Sequence, residues 1–153
     1  MGNTYSQIYI QVVFAVQGRP NLIQKQNKGE LHKYMTGIVR ERDQKLLAIH
    51  CMPDHTHMLL GLRPSMALSD VVREVKNGSS NFINRSGWVM GRFCWQEGFG
   101  AFSYGHSQLK GIMDYIRDQE RHHARRSFQD EYVRFLKKYE IEHDTKYIFK
   151  PLD

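Results

Sequence analysis

The order in which hydrophobic periodicity changes along this chain restricts its architecture more than any single motif does. Across residues 5–16, Ile8, Ile10 and Val12 alternate with Gln7, Tyr9 and Gln11 among β-branched and aromatic neighbours, which predicts a strand ended by Gly18, Pro20 and Asn21. Between residues 24 and 43 the period lengthens, with Leu31, Met35, Ile38 and Val39 at helical spacing. Two strand-like runs follow, 46–52 (LLAIHCM) and 55–62 (HTHMLLGL), on either side of a Pro53-Asp54 turn, the pattern of a hairpin. Residues 68–84 place Leu68, Val71, Val72, Val75, Phe82 and Ile83 on one helical side and Arg73, Lys76 and Asn77 on the other, with a weak point at Gly78. The aromatic, glycine-punctuated stretch 87–105 predicts a loop and a short strand over 100–104. Leu109, Ile112, Met113 and Ile116 predict a third helix over 107–124, and Ser127 with Asp130 three residues on opens a fourth, running through Tyr139. Residues 141–153 read as a docked extension.

Strand, helix, two strands, helix, strand is the ferredoxin-like (RRM-like) α+β order, an antiparallel sheet with helices packed on one face, here followed by further helices. No repeat or linker interrupts it, and the expectation is one domain over 1–153. With 41% hydrophobic and 25% charged residues, the chain has enough apolar material to bury a core and too much to be disordered. Lys and Arg number 22 against 16 Asp and Glu, a net charge of +6 that favours a polyanionic partner. Cys51 and Cys94 form no CxxC pair, which excludes a disulfide framework and a cysteine-rich zinc module and fits a reducing, cytoplasmic compartment. The N-terminus lacks a secretory pattern, and no run approaches the roughly 18 apolar residues of a membrane span.

Chemistry concentrates in two places. His55 and His57 stand two apart on a predicted strand, so their side chains leave the same face with backbones roughly 6.6 Å apart. Two neutral imidazoles so placed can chelate one metal ion, but the spacing is equally that of two histidines on the polar face of a half-exposed strand. On the third helix, Tyr115 and Gln119 lie four apart and share a face; alone they read as a packed tyrosine beside an exposed glutamine. Together the four describe a phosphoryl-transfer site, in which a metal held by His55, His57 and the Gln119 carbonyl polarises a phosphate and Tyr115 supplies the nucleophilic oxygen. Tyr34 and Tyr104 are rival nucleophiles; Tyr34 has no glutamine or asparagine four residues on, and Tyr104, although Gln108 follows it at that distance, lies on a predicted strand and not on a helix.

Four stretches, MPDHTHMLL (52–60), WQEGFGAFSYGHSQ (95–108), YIRDQERHH (115–123) and SFQDEYVRFL (127–136), resemble in order and spacing the single-tyrosine transposases of the HUH superfamily. That family serves the smallest bacterial insertion sequences and is related to the REP-associated tyrosine transposases. The resemblance implies that His55 and His57 are the metal-binding histidines, Gln119 the third metal ligand, and Tyr115 the nucleophile on a C-terminal helix that attacks a DNA phosphate. The products would be a 5′-phosphotyrosine link and a free 3′-OH. It further implies Mg²⁺ or Mn²⁺, single-stranded DNA with subterminal hairpins as partner, no nucleotide cofactor, and a homodimer; in many members the histidines of one subunit work with the tyrosine helix of the other. Two positions depart from the pattern. The middle residue of the HUH motif, usually hydrophobic, is Thr56, which points to the opposite face of the strand. Asp118 stands where asparagine is common, a carboxylate that either binds metal or repels phosphate.

A polyanion needs cations and stacking surfaces. Arg73, Lys76, Arg85 and Arg92 cluster around the second helix, and Arg121, Arg125 and Arg126 follow the third, with Arg125 and Arg126 the strongest candidates; each also reads singly as ordinary surface charge. His122 is a candidate for assisting proton transfer or contacting phosphate, as is its neighbour His123. Trp95, Phe99, Phe102 and Tyr104 are either base-stacking platforms or core, and Trp95 with Gln96 attracts most suspicion. Two other function classes fit the same residues: a domesticated hairpin-binding module, for DNA or RNA, that does not cut, and a metal-dependent hydrolase of small phosphoesters in which Tyr115 is a bystander.

Overall fold

The computed structural model describes residues 3–18, 21–123 and 127–143. Its elements are β1 (Tyr9–Ala15), α1 (Lys28–Glu41), β2 (Lys45–Cys51), β3 (His55–Gly61), α2 (Leu68–Ser86), β4 (Gly100–Tyr104), α3 (Leu109–Arg117), α4 (Gln119–His123) and α5 (Phe128–Lys138). The strands form one antiparallel sheet in the order β2-β3-β1-β4, the connectivity that the periodicity predicted. The first strand begins at Tyr9, later than the alternation suggested, and a 3₁₀ turn at Lys25–Asn27 precedes α1. Ser127 Oγ accepts a hydrogen bond from the Asp130 amide at 3.2 Å and so caps α5, as its sequence indicated. Residues 144–153 of the expected extension lie outside the described residues.

Helices cover both faces of the sheet, whereas the pattern predicted one. Val12, Phe14, Met58 and Leu60 point to one side, where Leu31, Met35 and Val39 of α1 and Val71, Val72 and Val75 of α2 enclose them. Val13, Ala15, Leu59, Phe102 and Tyr104 point to the other, against Ile116 of α3 and Phe128 and Leu136 of α5. The helices after β4 have no free face but this one, and their apolar stripes need cover. The central strand β3 is consequently buried along nearly its whole length, and the half-exposed strand allowed for His55 and His57 does not exist.

Two glycines let the layers approach. A Cβ at Gly78 would come 2.5 Å from Ile38 Cδ1, so the residue that looked like a weak point in α2 is where that helix sits against α1, and α2 runs unbroken past it. At Gly100 a Cβ would meet the Tyr132 hydroxyl at 2.8 Å, which brings α5 down on β4. The predicted third helix is interrupted: α3 ends at Arg117 and is capped by Asp118, whose amide bonds the Asp114 carbonyl at 3.0 Å and whose own carbonyl accepts the Arg121 amide at 3.1 Å, and α4 restarts at Gln119. Aspartate competes poorly inside helices and well at their ends.

Candidate active site

The register of β1 and β3 sets Val13 opposite His57 and Ala15 opposite His55, so both imidazoles rise from the sheet under α3 and α5, fully buried. One nitrogen of each ring is engaged by an oxygen: His55 Nδ1 lies 2.6 Å from Asp54 Oδ1, and His57 Nδ1 lies 2.8 Å from Gln11 Oε1. Gln11 is oriented in turn by donating its Nε2 to the Tyr104 hydroxyl at 2.7 Å. An acceptor at Nδ1 keeps a proton there and turns the Nε2 lone pair toward the opposite side, the arrangement found for metal-ligating histidines. The His55 ring is also stacked on Phe128, centroids 4.0 Å apart.

Both Nε2 atoms face Glu131 of α5. Its Oε1 is 2.9 Å from His57 Nε2 and 4.0 Å from His55 Nε2. A carboxylate oxygen and an imidazole lone pair repel at such a distance unless a proton or a cation lies between them. One ligand atom each of His55, His57 and Glu131 falls within 4.8 Å of the others, a buried set able to hold a divalent ion. Glu131 Oε2 accepts the hydrogen bond donated by the Tyr115 hydroxyl, so one carboxylate joins the histidines to the tyrosine. The Tyr115 ring meets His57 edge-on at 6.1 Å and Phe135 at 5.7 Å. Gln119, fully buried, donates its Nε2 to the Tyr115 carbonyl at 3.2 Å. Its Oε1 is buried and without a hydrogen-bond partner among the described residues, a state that a bound cation relieves.

The structure therefore brings Tyr115, His55 and His57 together, and places Gln119 beside Tyr115 across the break at Asp118. Glu131 escaped the sequence reasoning. The signal available was a carboxylate three residues after Phe128 on the apolar stripe of an amphipathic helix, where a charge is out of place unless paired. A cleft of about 490 Å³ opens on Tyr115 and Glu131, lined further by Arg134, Phe135, Lys137 and Lys138.

The other candidates lie elsewhere. Arg73 and Lys76 belong to α2, on the opposite side of the sheet, and line a cleft of about 460 Å³ with Arg92 and Trp95. Arg73 is exposed and pairs with Asp70 at 2.9 Å. The Lys76 ammonium donates to the carbonyls of Gln96, at 2.8 Å, and of Gly98, and burial pushes its pKa down to about 8 although Glu97 opposes the shift. Trp95 is core: its indole donates to Ser79 Oγ at 2.8 Å and its ring meets Phe14 and Phe93 edge-on. Phe102 and Tyr104 are buried too, and burial pushes the Tyr104 phenol well above its ordinary pKa, which disarms it as a nucleophile. Tyr34 is stacked on Phe82 and accepts from Arg85. Asp118 is exposed, its carboxylate 3.9 Å from Arg121. Arg125, Arg126 and the His122 side chain lie outside the described residues. Among the described residues no helix is long and apolar enough to cross a membrane.

Residues 4–119 match the family model of IS200-like transposases. Among solved structures, the chain is similar to a candidate transposase from Deinococcus radiodurans R1, with 20% identity over 78% of this chain and 95% of that one and a TM-score of 0.62. It is also similar to a REP-associated tyrosine transposase bound to a REP hairpin, with 17% identity over 100% of this chain and 98% of that one and a TM-score of 0.59. No curated protein matches the chain by sequence. The matched segment ends at Gln119, so α5, with Glu131, lies beyond it.

Proposed function

This chain belongs to the IS200-like transposase family, and on that premise we propose that it cleaves and rejoins single-stranded DNA at hairpin-marked element ends through a covalent 5′-phosphotyrosine intermediate on Tyr115, with a divalent metal. The observation that carries the reading is the convergence of the Tyr115 hydroxyl, the Nε2 atoms of His55 and His57, and the Glu131 carboxylate in one cluster.

A phenol of pKa about 10 is a weak nucleophile near neutrality and needs a proton acceptor at hand. Glu131 Oε2 already takes the Tyr115 hydrogen bond and receives the proton as the phenolic oxygen attacks phosphorus. The new O–P bond forms as the bond from phosphorus to the 3′-oxygen breaks, and that oxygen leaves as a 3′-OH after protonation by water. The phosphotyrosine ester keeps the bond available, so a 3′-OH on another end can attack it and return the proton to Tyr115. Mg²⁺ or Mn²⁺ held by His55, His57, Gln119 and Glu131 would polarise the phosphate and stabilise the charge that develops on the leaving oxygen. Asp54 and Gln11 keep the imidazoles in the tautomer this role requires.

The solved relative that spans the whole chain holds a REP hairpin, which supports a hairpin-bearing single strand as the partner here. Arg73, Lys76, Arg125 and Arg126 are the proposed hairpin contacts; Lys76 reaches phosphate only by releasing the carbonyls it now satisfies. Asp118 and His122 are the proposed assisting groups around α4. The free thiols Cys51 and Cys94 fit a reducing cytoplasm. The test is incubation with Mn²⁺ and single-stranded DNA covering the gene's flanks, followed by peptide mass spectrometry. Nucleotide mass on Tyr115, absent from Tyr115→Phe, is the expected result; tight binding with no adduct would leave a hairpin-binding module instead.

A further inference from the structure

α5, which lies beyond the matched family segment, contributes more than Glu131. Glu131, Arg134, Phe135 and Lys138 recur at three- and four-residue steps and form one stripe of that helix. The stripe begins at the buried carboxylate under Tyr115 and ends in exposed cations, and with Lys137 it lines the cleft of about 490 Å³ at the nucleophile. Three positive groups against the single charge of Glu131 leave the cleft mouth electropositive. Some surface cations of this chain are engaged by carboxylates, Arg42 with Glu74, Arg63 with Asp43, Lys110 with Asp114, whereas among the described residues no ion pair engages Arg134, Lys137 or Lys138, which leaves three neighbouring cations available at one cleft. Lys137 and Lys138 complement the dipole at the end of α5; Arg134, in mid-helix, has no such role. Arg134 and Lys138 stand about 6 Å apart along the axis, far enough to hold successive phosphates rather than share one.

We infer that Arg134 and Lys138 contact backbone phosphates of the strand being cut, making the cleft between α3 and α5 the path by which unpaired DNA reaches Tyr115. It is a surface separate from the α2 cleft on the other side of the sheet. The inference rests on Tyr115 being the nucleophile, and binding measured without chemistry separates the two. In EDTA, the full chain is titrated with a short oligothymidine and with a blunt stem-loop over a range of salt. Arg134→Gln and Lys138→Gln are each expected to weaken oligothymidine binding several-fold and to reduce its log–log salt slope by about 0.7, the value for one single-strand phosphate contact, while stem-loop binding holds. Arg73→Gln is expected to do the reverse. Both α5 side chains are exposed, so the variants should melt with the wild type. An unchanged oligothymidine slope in the double variant, equal losses on both DNAs, or a wild type that ignores oligothymidine overturns the inference. Selective loss in the α5 variants together with no adduct on wild-type Tyr115 upholds the strand contact and overturns only the chemistry.

Discussion

A carboxylate only 6% exposed needs partners on every side, and Glu131 divides its two oxygens between a histidine and a phenol. Replacing it by glutamine keeps the size and removes both the charge and the basicity. Glu131→Gln is expected to lower the rate of Tyr115 adduct formation by about 10²–10⁴-fold, the usual worth of a positioned base. It should also weaken Mn²⁺ binding by about 10–100-fold, read by calorimetry. A variant with wild-type values for both would remove Glu131 from the site. The histidines were legible in the sequence because strand alternation guarantees that residues two apart share a face. Glu131 was not, since 74 residues separate it from His57 and only the docking of α5 joins them. Lys76 and Trp95 show the converse: types suited to nucleic acid whose surroundings are decided by the irregular segment after α2, where periodicity carries no information.

At the scale of elements, α4 is too short, at five residues, to hold its own position. Glu120 anchors it: its Oε1 accepts from the largely buried Lys28 at 2.6 Å, Lys25 lies 3.8 Å away, and Lys28 also reaches His50 Nε2 at 2.9 Å. Because Glu120 follows Gln119, Lys28→Met is expected to lower Mn²⁺ affinity about tenfold in the wild type and to add nothing in a Gln119→Ala background. Equal losses in both backgrounds would show that Lys28 acts through something other than Gln119. None of this was readable from the periodicity, which continued the third helix through Asp118. The join between α1 and β2 is pH-sensitive. His32 Nε2 accepts the Cys51 amide at 2.9 Å, and burial, aided by Lys28, pushes its pKa down to about 4. The unfolded chain takes up a proton near pH 6.5 that the folded chain refuses until about 4, so this contribution is whole above 6.5 and is lost as pH falls through that window. The melting temperature is expected to drop over that range, and to drop less steeply in His32→Gln; His50, also depressed to about 4, keeps part of the slope. An unaltered slope in the variant would exclude His32 as a source.

At the scale of the whole molecule, the sheet works because it is covered twice: α1 and α2 make one side a core, and α3 and α5 turn the other into a site. The order of elements along the chain was legible because it follows from local periodicities alone, whereas which chain's sheet receives α3 was not. Here every group of the cluster comes from one chain. Ile116, Phe128 and Leu136 bury against Val13, Leu59 and Phe102 of the same sheet, each worth about 1.5–3 kcal/mol. An exchange of helices between subunits would return those contacts, so burial alone does not choose between the two arrangements. The connection favours the arrangement seen here: β4 ends at Tyr104 and α3 begins at Leu109, and residues 105–108, three of them wound into a 3₁₀ turn, set α3 directly onto the sheet of its own chain. Each subunit of the proposed homodimer should therefore complete its own site. When His57→Ala protein is mixed and re-equilibrated with Tyr115→Phe protein, neither chain holds both an intact metal site and a nucleophile, and no adduct is expected. Recovery of adduct in the mixture would require Tyr115 of one chain to react over the histidines of the other, and the helix would then have to unwind from the sheet on which it rests here.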